Sequence, residues 1–217
     1  MTKKRLDEFL KQALVNYDLP GLAIGVRDNG FVYRNAAGYQ DVADRKPLLP
    51  EHIFHMASVT KLFVGTSVLQ LWERGLLQLD GRLTDYLPWF QTKDERYREI
   101  TIRRLLSHTS GMPDVKDYQW DKPETDEGAL ERYVRSPEVK DAWLLWSPSE
   151  GRFAYSNIGY EILGVVIAAV SGMPFEDYVR RNIFEPLEMN DSTLLTFERG
   201  IYDEKGKDES LCTPHEK

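Results

Sequence analysis

The chain has 217 residues, of which 41% are hydrophobic and 29% are charged, and its formal net charge is −7. This length and composition are typical of one globular domain with a sizeable core. A negative chain without a dense lysine or arginine cluster argues against nucleic acid as a partner, because binding nucleic acid needs a basic surface. The single cysteine, Cys212, excludes a disulfide framework within the chain.

Two segments were candidates for membrane insertion or secretion, and both lack the required pattern. Residues 3–5 are basic, but the residues after them keep their charges and form no apolar core of a signal peptide. The most apolar run, residues 162–170, is too short to span a bilayer. We therefore expect a cytoplasmic protein that binds neither a membrane nor nucleic acid. Its oligomeric state is not predicted.

The first part of the chain predicts a helix followed by a β-hairpin. Apolar residues recur at helical spacing over residues 6–17. Residues 22–26 and 31–33 are apolar runs joined across Asn29-Gly30. Asn-Gly favours a type I′ turn, because both central residues of that turn need a positive φ. The sequence therefore predicts one hairpin in this region.

Two longer helices are predicted further along the chain. Residues 58–74 are apolar on several faces and end before Gly75, so we expect a helix buried in the middle of a domain. Residues 158–170 predict a second buried helix that stops at Gly172. No internal repeat or linker is present, and we expect one domain over residues 1–217. The remaining predictions are a helix at 102–106 capped by Thr101, surface loops and short helices at 112–141, an amphipathic helix at 174–183 and a polar tail at 198–217.

The stretch Ser58-Val59-Thr60-Lys61 is a candidate nucleophile and base. Residues three apart on a helix share one face, so the Lys61 amine would point at the Ser58 hydroxyl. A serine hydroxyl is a weak nucleophile until a base takes its proton, and Ser-Lys pairs are one known solution. The alternative is a helix-capping serine followed by a surface lysine, and the spacing alone does not decide between them.

A second candidate, Tyr155-Ser156-Asn157, precedes the second predicted buried helix. Side chains two apart in an extended segment project the same way, so the phenol and the amide would lie together. The phenol could act as an acid or a base if a cation such as Lys61 lowered its pKa. Asn157 could then orient Lys61 or a substrate amide. The alternative is an aromatic anchor followed by a helix-capping asparagine.

Five stretches, taken in chain order, carry a resemblance to a known family. They are residues 19–23 (LPGLA), 56–61 (MASVTK), 105–111 (LLSHTSG), 153–160 (FAYSNIGY) and 183–189 (IFEPLEM). The chain resembles the serine β-lactamase family, in particular its branch of class C β-lactamases, D-alanyl-D-alanine carboxypeptidases and family VIII esterases. The resemblance implies an α/β (α+β) fold of the β-lactamase and DD-peptidase type. This chain would hold the helical part and the N-terminal hairpin.

The resemblance also implies a role for each candidate residue. Ser58 would be the acylated nucleophile, Lys61 its proton partner and Tyr155 the general base, while Asn157 would position the substrate. The backbone N–H of Ser58 would supply half of an oxyanion hole. Neither a metal nor an organic cofactor is implied. The implied function is a serine hydrolase that cleaves a small-molecule ester or amide through an acyl-enzyme. We expect an esterase or a peptidase rather than antibiotic resistance.

One feature of the family has no match in this chain. Family members carry a third motif, Lys-Thr-Gly or His-x-Gly, on a later strand. None of the glycines after Asn157 has lysine or histidine two positions before it. We therefore expect a chain that lacks the C-terminal strands of the fold and the second oxyanion donor. The alternative function is a catalytically silent remnant, or a binding module, of the same fold.

Three histidines were considered as further functional residues. His52 and His55 lie three apart, but no acidic or cysteine partner falls at helical spacing, so loop or core histidines are favoured over a metal site. His108 lies in the predicted turn after residue 106 and is interpreted as structural, tying that loop to the core. The sequence predicts no metal site.

Overall fold

The computed structural model describes residues 2–116, 124 and 126–194. These residues form two compact units, of which the first ends at Met56 and the second begins at Ala57. The polar tail predicted at residues 198–217, which includes Cys212, lies outside the described residues. The single domain expected over residues 1–217 stays a prediction.

The first unit begins with helix α1, Lys3–Asn16, whose N-terminus is capped by the side chain of Thr2. Its buried residues are Leu6, Leu10 and Ala13, as the helical spacing predicts. Asp7 accepts hydrogen bonds from Tyr33 Oη at 2.6 Å and from Asn35 Nδ2 at 2.8 Å. These hydrogen bonds hold the pKa of Asp7 below its usual value, and they link the helix to a strand of the sheet.

A small antiparallel sheet completes the first unit. Its strands are β1 Gly21–Asp28, β2 Phe31–Asp41 and β3 Lys46–Pro47, in the order β1-β2-β3. Asn29 and Gly30 join β1 to β2 with φ values of 43° and 86°, the two positive values of a type I′ turn. The predicted hairpin is therefore confirmed. The sequence missed β3, because a two-residue strand that contains a proline has no alternating pattern.

The second unit begins with a 3₁₀ turn, Ala57–Val59, that leads into helix α2, Thr60–Glu73. Gly75 follows with a φ of 73°, as predicted for a helix stop. The buried residues of α2 are Val64, Ser67, Val68 and Leu71. Its most exposed apolar residues are Leu62, Leu69 and Trp72, at 68%, 47% and 46% exposure. The prediction of a helix buried in the middle of a domain is wrong, because the apolar residues of α2 occupy both a buried and an exposed face.

Short helices connect α2 to the next long helix. They are α3 Leu83–Tyr86, α4 Ile102–Leu106, α5 Ala129–Val134 and α6 Pro137–Lys140. Thr101 caps α4 by accepting a hydrogen bond from the backbone N–H of Arg104, as predicted. Helices α5 and α6 confirm the short helices predicted at 112–141, but the surface location is wrong for Met112, Val134 and Val139, which lie in the core.

Helix α7, Asn157–Ser171, is the longest element of the second unit. Its start is capped by Ser156, and Gly172 ends it with a φ of 72°. It packs against α2, α4 and α5, and also against α8, Phe175–Val179, which continues as a π-helical turn, Arg180–Phe184. The buried residues of α7 are Ile158, Gly159, Ile162, Leu163, Gly164, Val165, Val166 and Ile167. The second predicted buried helix is therefore confirmed.

The apolar core of the second unit surrounds α7. Leu71 of α2 and Ile102 and Leu105 of α4 are all 0% exposed, as is Ile162 of α7. Within the described residues, no single helix has the length and apolar character needed to cross a membrane. The bent pair formed by α7 and α8 with its π-helical turn meets that requirement by length and composition alone.

Candidate active site

Ser58 lies in the exposed 3₁₀ turn that precedes α2, two residues before Thr60, whereas the sequence predicted the α-helix to begin at Ser58 itself. The preceding residue, Ala57, has a φ of 43°, in the left-handed region that non-glycine residues rarely adopt. Such a conformation costs about 1–3 kcal/mol, and such residues cluster at functional sites. The backbone therefore turns sharply just before Ser58 and presents its hydroxyl outside the helix.

The four side chains predicted from the two motifs meet at the N-terminal ends of α2 and α7. Ser58 Oγ and Tyr155 Oη lie 2.7 Å apart and share a hydrogen bond in which either group can donate. Lys61 Nζ donates to Ser58 Oγ at 3.4 Å and also to Asn157 Oδ1. Tyr155 Oη lies 3.4 Å from Asn157 Oδ1. Two motifs that lie almost a hundred residues apart in the chain thus form one site.

Asn157 is the first residue of α7 and is not the residue that caps it. The cap is Ser156, whose Oγ accepts a hydrogen bond from the backbone N–H of Gly159 at 3.0 Å. The same Oγ donates to the carbonyl oxygen of Pro113 at 2.7 Å. The alternative interpretation of Asn157 as a capping asparagine is therefore wrong, and its side chain is directed to Lys61 instead.

Asp114 is a site residue that the sequence did not reveal. Its Oδ1 accepts hydrogen bonds from the backbone N–H of Asn157 at 2.8 Å and from Asn157 Nδ2 at 3.0 Å. Asp114 lies three residues after Gly111, near the start of the stretch 112–141 that was predicted as surface loops and short helices. Its position in the sequence does not predict a contact with Asn157.

His108 packs beneath the phenol of Tyr155. Its ring centre lies 4.6 Å from that of Tyr155 and 5.0 Å from that of Tyr160. Its Nδ1 accepts a hydrogen bond from the backbone N–H of Ser156 at 3.1 Å, which ties the loop to the core as predicted. Burial lowers the pKa of His108, and the charge of Lys61 lowers it further, so the neutral ring is favoured. His108 therefore also supports the aromatic side of the site.

The Lys61 ammonium group makes Tyr155 more acidic. Its Nζ lies 4.9 Å from the centre of the Tyr155 ring. Burial of the phenol raises its pKa, but hydrogen bonds with Lys61 and Ser58 and the charge of Lys61 outweigh burial, so the pKa of Tyr155 lies below its ordinary value of 10. The ionised phenol is the form that can accept a proton from Ser58.

A second carboxyl group lies close enough to respond to Lys61. Glu161 follows Asn157 by four residues, one turn further along α7, and is partly buried. Burial raises the pKa of Glu161, and the positive charge of Lys61 opposes that rise. The sequence did not single out Glu161, because a glutamate inside a helical segment is ordinarily a surface residue.

His52, one of the two histidines considered for metal binding, holds a loop. His52 Nδ1 accepts a hydrogen bond from the backbone N–H of Leu49 at 3.2 Å, which fixes a loop. Across the residues that the structure describes, no group of three or more His, Cys, Asp or Glu side chains is arranged to hold a metal ion. The absence of a metal cofactor stays a prediction.

A sequence model of the Beta-lactamase family matches residues 6–202 of the chain. The chain belongs to the Beta-lactamase family. The resemblance drawn from the five sequence stretches is therefore confirmed. The family is one of serine hydrolases, and it includes penicillin-binding proteins, esterases and β-lactamases.

Three relatives illustrate the match. Penicillin-binding protein 4 of Amycolatopsis lactamdurans is 33% identical over 181 residues, which cover 82% of this chain and 46% of that protein. The octameric penicillin-binding protein homologue from Pyrococcus abyssi is 28% identical with a TM-score of 0.74, over 98% of this chain and 47% of that one. EstCE1, a hydrolase with promiscuous acyltransferase activity, is 29% identical with a TM-score of 0.69, over 85% of this chain and 51% of that one.

These comparisons confirm the predicted α+β fold of the β-lactamase and DD-peptidase type. They also show that the chain corresponds to only part of that fold. It spans less than half the length of the curated relatives it matches, with shares of 41%, 38% and 46%.

Proposed function

We propose that the chain belongs to a serine hydrolase that cleaves an ester or an amide through an acyl-enzyme on Ser58. The observation that carries this proposal is the 2.7 Å contact between Ser58 Oγ and Tyr155 Oη beside the Lys61 ammonium group. A nucleophile needs a base within hydrogen-bond reach and a third group that orients the base. The arrangement meets both requirements.

In the proposed reaction, Ser58 Oγ attacks the substrate carbonyl carbon while its proton passes to the ionised phenol of Tyr155. The tetrahedral intermediate collapses, the bond to the leaving group breaks, and the leaving group takes the proton from Tyr155. Water then repeats the sequence on the acyl-enzyme, releasing the acid and restoring Ser58. Throughout, Lys61 stabilises the phenolate, and Asn157 holds Lys61 in place.

The substrate class is proposed from the chemistry of the site and from its relatives. An acyl-enzyme mechanism acts on any carbonyl group with a suitable leaving group, so both esters and amides fit. A relative named as a hydrolase with acyltransferase activity supports an ester or activated amide, and relatives named as penicillin-binding proteins support a peptide-like amide. We propose a small-molecule esterase or peptidase activity in preference to antibiotic resistance.

Covalent labelling tests the proposal. The purified chain is incubated with a fluorophosphonate probe and separately with a fluorescent penicillin, and the adduct is located by peptide mass spectrometry. We expect one adduct on Ser58, absent in Ser58→Ala and retained in Ser149→Ala. Ser149 is a matched control because it is also exposed in the second unit but lies outside the site. A folded parent chain that forms no adduct with either probe would contradict the enzyme hypothesis.

The second candidate function is a catalytically silent binding module of the same fold. Within the given residues, no Lys-Thr-Gly or His-x-Gly follows Asn157, so these residues alone supply no second oxyanion donor of that kind. Loss of one oxyanion donor costs about 10²–10³-fold in rate. A binding module would retain the fluorescent penicillin reversibly, equally well in the parent and in Ser58→Ala, and would release it on denaturation.

A further inference from the structure

The orientation of the Asn157 amide decides whether this residue can hold Lys61. A primary amide has an accepting oxygen at one end and a donating nitrogen at the other. Lys61 Nζ can only donate, so Asn157 must present Oδ1 to it, as observed. With the amide reversed, two donors would face each other, and the hydrogen bond that holds Lys61 would be lost. Something in the structure has to fix the amide in the productive orientation.

Asp114 supplies that constraint. An ionised carboxylate only accepts hydrogen bonds, so the Asn157 end that faces Asp114 must be the nitrogen. Asp114 Oδ1 accepts from Asn157 Nδ2 at 3.0 Å and from the backbone N–H of Asn157 at 2.8 Å. It also accepts from the backbone N–H of Val115 at 2.9 Å, which fixes the carboxylate itself. The opposite end of the amide is thereby directed to Lys61.

We propose that Asp114 is a positioning residue whose carboxylate sets the Asn157 amide and, through it, the place of Lys61 beside Ser58 and Tyr155. The inference concerns the same site and rests on the proposed function. Asp114 touches none of the reacting atoms. Its effect passes through a chain of three contacts, Asp114 to Asn157, Asn157 to Lys61, and Lys61 to Ser58.

A purely structural role is the main rival explanation. A carboxylate at the start of a helix stabilises the helix through the free backbone N–H groups and the macrodipole. Ser156 satisfies the Gly159 N–H at the start of α7, and Asp114 satisfies the Asn157 N–H, so Asp114 shares in that structural role and the two roles need separate readouts. A second rival is a direct effect of the Asp114 charge, which raises the pKa of both Tyr155 and His108.

The pKa of Tyr155 separates these explanations, because they predict shifts of opposite sign. Removal of the negative charge alone lowers the pKa of Tyr155. Release of Lys61 raises it, since the hydrogen bond and the charge of Lys61 are what hold it below 10. The measurement is an NMR titration of chain labelled with ¹³Cζ-tyrosine, in which the Tyr155 signal is identified by its loss in Tyr155→Phe.

Three variants are compared in that titration. Asp114→Asn keeps an accepting oxygen but loses the charge, so we expect the pKa of Tyr155 to fall, together with that of His108. Asp114→Ala loses both, so we expect the pKa of Tyr155 to lie above its value in Asp114→Asn and to move toward 10. Asp114→Glu keeps the charge but displaces the carboxylate by one methylene, and we expect a rise here as well. Asp141→Ala, which removes an exposed carboxylate of the same unit, is the control for general charge removal.

Fluorophosphonate labelling of Ser58 gives a second readout. We expect the labelling rate to fall about 10²-fold in Asp114→Ala, the loss typical of a misplaced catalytic group, and to recover in large part in Asp114→Asn. An equal fall in the pKa of Tyr155 in Asp114→Asn and Asp114→Ala, with the parent value kept in Asp114→Glu, would be the result of charge alone and would overturn the positioning role. If the folded parent chain is labelled by neither the fluorophosphonate nor the fluorescent penicillin, the proposed function fails, whereas the titration still tests the positioning role of Asp114. If Asp114→Ala does not fold, Asp114→Glu decides alone.

Discussion

Helices α2 and α7 both begin at the candidate active site, but they support it in different ways. α7 is buried along much of its length, is capped at its start by Ser156 and ends at Gly172 in a left-handed conformation. α2 buries one face only, and Val59, in the N-cap position before it, makes no side-chain capping hydrogen bond. It leaves Leu69 and other apolar residues exposed.

This difference shows which half of the site is held by the described core. The Tyr155 and Asn157 side is anchored to a buried helix, to Asp114 and to the ring of His108. The Ser58 side depends on a sharp backbone turn and on the contacts that Ser58 and Lys61 make with the other half. We infer that the α7 half is preorganised and that the α2 half is placed by hydrogen bonds to it.

The largest effect is expected from cutting the contact between the two halves at Lys61. Lys61→Met keeps the length of the side chain and removes its charge. Without that charge the pKa of Tyr155 rises, so less of the phenol is ionised and able to take the Ser58 proton. We expect fluorophosphonate labelling at neutral pH to slow by about 10²–10⁴-fold, the usual contribution of a general base.

The pH dependence of the labelling rate shows whether Lys61→Met acts by raising the pKa of Tyr155. In the parent chain, labelling should increase with pH while Tyr155 loses its proton, and level off above a pKa that lies below 10. In Lys61→Met the plateau should move to higher pH. Lys140→Met, at an exposed lysine on α6, should leave the profile where it was. A parallel drop in rate at every pH, with no displacement of the profile, would contradict the assignment of Tyr155 as the base.

A matched pair of truncations tests the difference in burial directly. Leu163 of α7 is 0% exposed, and Leu69 of α2 is 47% exposed. Leu163→Ala should lower the free energy of unfolding of the second unit by about 2–5 kcal/mol, because it removes contacts and leaves a cavity. Leu69→Ala should change it by less than about 0.5 kcal/mol. Chemical denaturation monitored by circular dichroism measures both values.

The result for Leu69→Ala decides whether the two helices differ in burial in solution. A loss of stability comparable to that of Leu163→Ala would mean that the exposed face of α2 is covered in solution, and the two helices would then be equivalent. A negligible change in the free energy of unfolding would confirm that α2 is packed on one face only.

Much of this fold could be predicted from the sequence, because local signals agreed with the final structure. The Asn29-Gly30 turn, the Thr101 cap and the Gly172 stop each follow from a backbone requirement that only a few residue types satisfy. The burial of α7 could be predicted because residues 158–170 are almost all apolar, and such a segment is stable only inside a core. The same reasoning failed for α2, since apolar residues around a helix do not reveal which face finds a partner.

The site was partly predictable for a similar reason. Ser58, Lys61, Tyr155 and Asn157 were found because their motifs occur in the order and context of a known family, although their spacing alone did not decide between catalysis and capping. The hydrogen bonds of Asp114 to Asn157 and the stacking of His108 on Tyr155 depend on how a loop folds back onto α7, and no local pattern encodes such contacts. The conformation of Ala57 was equally hidden, because nothing in an alanine indicates a positive φ.

The smallest effect compares the two helix starts. Ser156 Oγ accepts from the Gly159 N–H and donates to the Pro113 carbonyl, and Ser156 is 1% exposed. Ser156→Ala should cost about 0.5–2 kcal/mol of stability, the usual value of a lost cap. Val59 is the equivalent position of α2, is 38% exposed and has helical backbone angles, so Val59→Ala should cost less than about 0.5 kcal/mol.

Labelling kinetics extend that comparison to the site. Ser156 lies between Tyr155 and Asn157, so a frayed start of α7 would move both groups away from Ser58. We therefore expect Ser156→Ala to slow labelling of Ser58 more than Val59→Ala does, although Val59 is the direct neighbour of the nucleophile. The reverse order would show that the α2 turn, and not the start of α7, holds the site in its working geometry.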